Sequence, residues 1–505
     1  MKNETGRHAA TGDGLSGQGT ADTDTAATDV VVDSHEIQSG KLAGKTLPAA
    51  IAMLAIPVLL EHFANATVGT VDVMLTGHLP GDIATPAMDG VGIGSYVRWF
   101  MGISAGAVGI GGMALIARAI GAGNKRLAHL ALGQAVGFSL LLGIVVTFIM
   151  WFGIPWVAKL AGLSPEASAY CIQYVRVVAL SMPTTSLLFT GTMCLHGAGE
   201  TTRPFLIMLV VNAVNVFLSW MLSGVDLEFE SWSLLNPFSF DLHVMGIAAG
   251  TAGARTVGAF LLVLLMLRGI KDLKLQLPDI RPQFETMWRI IRVGFPNFVE
   301  GFGMWAGQLV GVIWLIGKIA EKTGAGEGLM GAHMIAVQWE AFSFMPGFAL
   351  GTAAGTLAGQ YLGAGNPKMA SRSIWLCAIL GMALMGIAGV VFMFAGAPLT
   401  RIISDDPQHL ELAPKLLFIC GIVQINFAMA MVIRNGLRGA GDTRACMIIT
   451  WTSTYFVRIP LAWLFGYWLG FGLVGVWIGL CAELFVRGLL FLGRFLQGGW
   501  KTVRV

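Results

Sequence analysis

The stretch 340-EAFSFMPGFALGTAAGTLAGQYLGAGNPKMA-370 decides the fold. It reads as part of a long apolar helix rich in Gly and Ala, with a single carboxylate, Glu340. It closes on a tight Gly363-Ala364-Gly365-Asn366 turn, with Lys368 and Arg372 just beyond. An earlier copy, 98-RWFMGISAGAVGIGGMALIARAIGAGNKRLA-128, ends in the same GAGN turn. The two turns begin at 121 and 363, and 363 − 121 = 242, about half of the 505-residue chain. A repeat at that period marks a duplicated architecture.

Composition sets the class. The chain is 55% hydrophobic and 12% charged, with a mean hydropathy of +0.71. Long, nearly uncharged runs recur to its end, which a soluble domain cannot bury, so the chain reads as an all-α integral membrane protein. A membrane β-barrel needs short alternating strands, and these runs are continuous. The six cysteines form no CxxC pair and no metal-ligand spacing, and read as small core residues. The GAGN turns lack the GxxxxGK[ST] spacing of a phosphate loop, and nothing suggests a nucleic-acid partner. The expected drive is therefore an ion gradient, whose electrical part supplies about 2.3 kcal/mol per charge per 100 mV.

In chain order, residues 1–44 are polar and lack the basic start and apolar core of a signal peptide; they read as a disordered cytoplasmic tail. An N-lobe follows at 45–267, with spans near 47–78, 86–118 and 127–153, a fourth opened by Ser164 and Pro165, and two more near 203–223 and 245–267. Pro57 is expected to bend the first span. A polar, acidic insertion separates the fifth and sixth. The linker is placed at 268–284, within a basic stretch that runs on to Arg292. A C-lobe at 285–496 repeats the order, and 497–505 is a short cytoplasmic tail. Pro296 and Glu300 are spaced as Pro57 and Glu61 are, and NGLRGAGDT (435–443) matches CLHGAGET (194–201) at the common period. About twelve helices in two pseudo-symmetric six-helix lobes follow.

Orientation rests on charge. Lys125, Arg126, Lys368, Arg372, Arg438, Arg444 and the linker cations share one side with both termini, whereas the opposite loops carry few cations. The termini are therefore expected to be cytoplasmic, in a multi-pass protein of the inner (plasma) membrane.

The paired PxxxE helices, the span SFMPGFALGTAAGTLAGQYLGAGNPKMA and the turn-and-helix LRGAGDT…VRIPLAWLF resemble the multidrug and toxic compound extrusion (MATE) family of the MOP flippase superfamily, over about 47–495. The resemblance implies two lobes that open a central cavity alternately to each side. It also implies antiport, in which an organic, often cationic and amphipathic compound leaves as H⁺ or Na⁺ enters. No other cofactor is implied, and the protein is expected to act as a monomer.

An ionisable side chain inside a span is costly and marks a functional site by default. The resemblance places Asp72, in GTVDVMLTG, where bacterial members bind the coupling ion; the plainer reading is a cap near the outer mouth. A carboxylate held away from water can carry a proton in one state and release it in another, or take Na⁺ with neutral oxygens. Asn215 and Ser219 stand where relatives have Asn and Asp one turn apart, so Ser219 leaves the N-lobe one carboxylate short. Asn212 reads as a helix-packing residue. Glu61 and Glu300 follow the bending prolines. Glu300 lies about a turn before the family's second-lobe glutamate, and the aspartate of helix ten is missing, with only Gln424 and Asn426 nearby. Glu340 matches a glutamate common in bacterial members.

Arg98 occupies the position equivalent to Glu340, and is expected either to pair with Glu61 or Glu340 or to bond helix-end carbonyls. Arg434 and Arg458 read as snorkelling from helix ends. Trp99, Trp305, Trp339, Phe344 and Met345 fall on expected cavity helices; such surfaces suit flat, apolar ligands and are equally what a membrane core looks like. Two rival functions stand beside efflux: a lipid-linked sugar or lipid flippase of the same superfamily, and a membrane-embedded enzyme or receptor. The first tends to have extra spans and a strongly cationic cavity. The second needs a catalytic constellation that His62, His78, His196 and His333 do not supply.

Overall fold

The computed structural model describes residues 42, 44–161, 163–229, 232–238, 240–270, 272–323 and 328–503. The tail expected at the N-terminus lies almost wholly outside these residues, and so does the side chain of Arg98. The first seven helices are α1 (Leu47–Gly77), α2 (Gly81–Gly121), α3 (Lys125–Leu160), α4 (Pro165–Leu180), α5 (Met182–Gly197), α6 (Thr202–Ser223) and α7 (His243–Arg268). The acidic insertion forms a two-stranded antiparallel hairpin, β1 (Leu227–Phe229) and β2 (Trp232–Leu234). The second half holds α8 (Phe284–Gln308), α9 (Trp314–Thr323), α10 (Gly328–Ser343), α11 (Met345–Gly363), α12 (Pro367–Arg401), α13 (Pro407–Gly439), α14 (Thr443–Ser453), α15 (Ile459–Trp463) and α16 (Gly472–Gln497).

Among the described residues nine helices are long and apolar enough to cross a membrane, and two bent pairs, α4 with α5 and α10 with α11, raise the count to eleven. A further helical pass runs from Thr443 to Trp468 through two π-helical segments, Thr454–Arg458 and Leu464–Trp468. The protein is an all-α multi-pass membrane protein.

Proline positions explain which helices break. The quoted stretch is not one straight helix: α10 ends at Ser343, and α11 leaves it at 40° with Pro346 in its first turn. The equivalent of Pro346 in the first half is Ser104, and α2 runs unbroken there. Conversely α4 and α5 meet at 56° with Pro183 just beyond the bend; its equivalent is Ile425, and α13 is continuous. Proline removes one backbone bond and clashes with the preceding turn. Pro57 lies inside α1, which continues past it as one helix.

The duplicated turns are built alike. Gly123 and Gly365 take φ +69° and +77°, and Gly199 and Gly441 take +80° and +92°. A left-handed residue reverses the chain at each of these helix ends, which glycine adopts without a Cβ penalty. Asn124 and Asn366 then cap α3 and α12, their side chains accepting from Leu127 N–H and Met369 N–H.

The two halves of the chain meet closely on the side of these turns. Gly121 lies against the Gln360 carbonyl, Gly363 against the Arg118 carbonyl, and Gly359 against Ala117, so α2 and α11 touch backbone to backbone. Gly111 and Gly294 do the same for α2 and α8, facing the carbonyls of Ile290 and Ala107. Small residues permit such approach in membranes, where van der Waals packing drives helix association. Hydrogen bonds reinforce it: Thr356 Oγ1 donates to His196 O (2.9 Å), Gln360 Nε2 to Gly197 O (2.9 Å) and Arg118 Nη2 to Ala440 O (2.9 Å).

The basic connection is anchored by its acids. Asp272 pairs with Lys125 (2.6 Å), Asp279 pairs with Arg126 (2.9 Å), and Gln134 bridges the carbonyls of Asp279 and Arg281. Arg289 and Arg292, read with the linker from sequence, stand on α8. The C-terminal segment is not a free tail either. Trp500 is fully buried and stacked on Phe495, with its indole N–H on Phe495 O. All six cysteines are buried and unbridged.

Candidate functional site

Asp72 sits in the last two turns of α1 and is 1% exposed. Tyr174 Oη of α4 donates to its Oδ2 at 2.8 Å, and Thr251 Oγ1 of α7 donates to its Oδ1 at 2.8 Å. Asn215 Nδ2 of α6 donates in turn to Thr251 Oγ1 (2.9 Å) and Ser219 Oγ (3.2 Å), and Ser219 Oγ donates to Ile247 O (3.2 Å). Four helices therefore converge on one carboxylate through neutral oxygens and an amide. Two glycines permit the approach: a Cβ at Gly94 would meet the Tyr174 ring, and one at Gly250 would meet Ser219. Asn215 Oδ1 is buried in this network and receives no hydrogen bond among the described residues. A carboxylate bonded by two hydroxyls, with Asn215 and Ser219 one hydrogen bond further out, is chemistry for a proton or a small hard cation.

The other carboxylates have different surroundings. Glu61 lies on α1 near His196 of α5, with Oε2 and Nε2 3.2 Å apart. Glu300 of α8 is fully buried and fully engaged: Arg438 Nη2 is 2.7 Å from Oε2, Thr450 Oγ1 donates to Oε1 at 2.7 Å, and Arg434 Nη1 lies 3.7 Å away. Glu340 is half-buried one turn before the α10–α11 break, and its carboxylate makes no hydrogen bond among the described residues. Arg434 and Arg458 do not snorkel; both are buried within the second half. Arg458, from the π-helical segment Thr454–Arg458, joins Glu483 (2.9 Å) and Arg487 (2.6 Å to Glu483) of α16 in a triad supported by Ser453, Thr454 and Gln308.

The aromatic residues divide. Trp305 packs with Phe100 and Phe302 across the α2–α8 contact. Phe344 meets Phe348 and Phe427, and Phe348 faces His62 of α1. Trp339 ties its indole N–H to Leu399 O of α12, and Met345 is buried. Trp99 is 47% exposed. Asn212 donates to Ala64 O at 2.7 Å, which is helix packing.

Sequence reading missed Tyr174, Thr251, Arg438, Glu483 and Arg487. A lone Tyr or Thr in an apolar run gives no signal by itself; only the fold brings Tyr174 and Thr251 to Asp72. The i, i+4 pair Glu483–Arg487 was visible as two charges one turn apart in a span.

A duplicated bundle of membrane helices with a buried carboxylate held by neutral oxygens defines an ion-coupled transporter rather than an enzyme. The comparisons agree. The MatE family profile matches residues 57–221 and 298–464, and the chain belongs to this family, the MATE transporters of the MOP superfamily, which are ion-coupled antiporters. It is 29% identical over 453 residues to a probable multidrug resistance protein NorM of Thermotoga maritima, covering 89% of this chain and 92% of the relative. It is 24% identical to a probable multidrug resistance protein YoeA of Bacillus subtilis, covering 90% and 94%. Its fold superposes with a TM-score of 0.80, at 20% identity and over 91% of this chain and 98% of the other, on the outward-facing conformation of a multidrug resistance MATE family transporter.

Proposed function

We propose that this protein exports organic, amphipathic, typically cationic compounds in exchange for H⁺ or Na⁺, acting as a monomer in the plasma membrane. Two lobes, 45–267 and 285–496, rock about the seam formed by α1, α2, α8 and α11. The termini and the glycine turns face the cytoplasm, as the distribution of Lys and Arg supports. Asp72 carries the coupling ion, with Tyr174, Thr251, Asn215 and Ser219 as its neutral partners. The observation that carries this reading is the buried Asp72 carboxylate, linked through Thr251 to Asn215, whose Oδ1 is unsatisfied among the described residues. Ser219 supplies an oxygen without a second charge, so a single ion changes the net charge of the site by one. Glu300 serves to hold α8 to α13 and α14 through Arg438 and Thr450, and Glu340 lies at the bend that changes as the cavity opens. Trp99, Trp305, Phe344 and Met345 offer apolar area to the substrate, Trp339 fixes α10 to α12, and Arg98 stands at the first-lobe equivalent of Glu340.

Uptake of a fluorescent organic cation into inside-out vesicles tests the reading. An acidic lumen or a lumen loaded with Na⁺ is expected to drive accumulation, and one of the two gradients should suffice alone. No accumulation under either gradient, for any cation offered, would overturn it.

A further inference from the structure

A groove in the outer surface of the bundle lies apart from Asp72, where α2 and α3 of the first half meet α8 of the second. It encloses about 280 Å³. Its floor is closed, because α2 and α8 touch there, Gly294 against the Ala107 carbonyl. Leu142, Val145 and Ile149 form one wall at helical spacing on α3, and Ile291 and Phe295 of α8 form the other. Val145, Ile149 and Phe295 are exposed, so the groove opens sideways. Phe100 and Phe298, edge to face at 6.4 Å, stand at the end away from the glycine turns. No charged side chain lines the groove among the described residues, and its one hydroxyl, Ser104 Oγ, donates to Phe100 O.

The end nearer the turns has a different chemistry. Gly137, next to the groove residue Phe138, lies against Ile280, so the mouth is level with the chain entering α8. Phe284 and Trp288 are exposed there and stack with centroids 6.4 Å apart. Tryptophan favours the headgroup level of a bilayer. Arg281 is exposed just before α8, and Arg292 is exposed one turn after Trp288 and one turn before Phe295. Neither pairs with a carboxylate among the described residues, and Asp279 is taken by Arg126. Over 281–299 the chain carries Arg281, Arg289 and Arg292 against a single acid, Glu285.

We propose that this groove binds an anionic phospholipid of the leaflet on the side of the glycine turns. One acyl chain lies between α3 and α8, and the phosphate meets Arg281 and Arg292. Two lengths agree. From Phe138 to Met150 the groove follows α3 for about 18 Å, at 1.5 Å per residue. One leaflet contributes about 15 Å, half of the hydrocarbon core. A chain entering at the level of Trp288 therefore runs the depth of its leaflet and stops at Phe100 and Phe298. The walls select hydrocarbon, since an organic cation would find no carboxylate there. The arginines select the headgroup, as basic residues between membrane helices do for anionic lipids. Because the walls come from both halves, the lipid stays bound only while α2 and α8 remain together, and it stabilises that arrangement by mass action. The site requires only the membrane span and this seam, and is independent of which compound is exported.

Photolabelling of the full-length protein in phosphatidylcholine proteoliposomes tests the site, with a trace of phosphatidylglycerol carrying a diazirine at mid-chain. Peptide mapping is expected to find label on 138–150 and 290–298 above the level on the exposed face of α12. Unlabelled phosphatidylglycerol should displace it better than added phosphatidylcholine. Arg281→Gln combined with Arg292→Gln should lower that preference about fivefold per arginine. Val145→Trp fills the groove from an exposed position and should remove the label from both segments while α12 keeps its own. Phosphatidylglycerol should also raise the melting temperature of wild type in detergent more than that of Val145→Trp. Uniform labelling of the lipid-facing helices, or an equal rise in melting temperature, would overturn the site. Equal displacement by the two lipids, displacement by a transported organic cation, or a cross-link between two copies through Ile149 would each contradict an anionic phospholipid as the occupant.

Discussion

Glu300 and Arg438 face each other from α8 and α13, with Oε2 2.7 Å from Nη2 and the carboxylate wholly buried. Removing one partner of such a pair leaves an uncompensated charge in the lobe. Glu300→Ala is therefore expected to destabilise the protein by about 3–5 kcal/mol. Glu300→Gln combined with Arg438→Gln should recover much of that loss, because both charges disappear together. Thermal unfolding in detergent, followed by the monodisperse fraction, measures both. Equal losses in the single and double variants would show that the pair contributes little.

The partners of Asp72 should act on ion affinity rather than on the fold. Tyr174→Phe and Thr251→Val each delete one donor to the carboxylate. A hydrogen bond to a charged group is worth about 1.5–3 kcal/mol, or roughly a ten- to hundredfold change in affinity. The concentration of coupling ion giving half-maximal transport should shift by that factor in each variant, with little change in the melting temperature. A loss of stability without an affinity shift would make both residues packing groups.

The glycine contacts between α2 and α11 predict a shift in population. A side chain at Gly121 must displace the Gln360 carbonyl, and one at Gly363 the Arg118 carbonyl. Gly121→Val should therefore weaken closure on this side and favour the state open there. Distances between labels on the turns at 122 and 364 should lengthen relative to wild type. An unchanged distribution would mean that the contact does not set the equilibrium.

Much of the fold is legible because membrane helices announce themselves by composition and the two halves repeat at a fixed period. The GAGN and GAGE/GAGD motifs gave the turns, and Ser164 gave a cap that forms as expected, accepting from Ala167 N–H. The bends were less legible. Pro57 stands inside a helix that continues past it, while Pro183 and Pro346 mark the breaks. The difference lies in context: Pro183 and Pro346 occupy first-turn positions of new helices, where the missing N–H costs nothing.

The site was legible in its charged members and hidden in its neutral ones. Asp72, Asn215 and Ser219 stand out as polar residues in spans, and they do meet. Tyr174 and Thr251 emerge only when α4 and α7 are brought against α1. Arg434 and Arg458 were misread because position along a helix says how far a side chain can reach, not which carboxylate waits beside it. Glu300 and Glu483 are those carboxylates.

Asp72→Asn tests the central claim most directly. The amide keeps the size of the side chain and an oxygen for the Tyr174 hydroxyl, but it can neither carry a proton nor balance Na⁺. Uptake into inside-out vesicles should fall to the undriven level under the gradient that powers wild type, while expression and melting temperature stay near wild type. Gradient-driven uptake at the wild-type rate in Asp72→Asn would contradict the account.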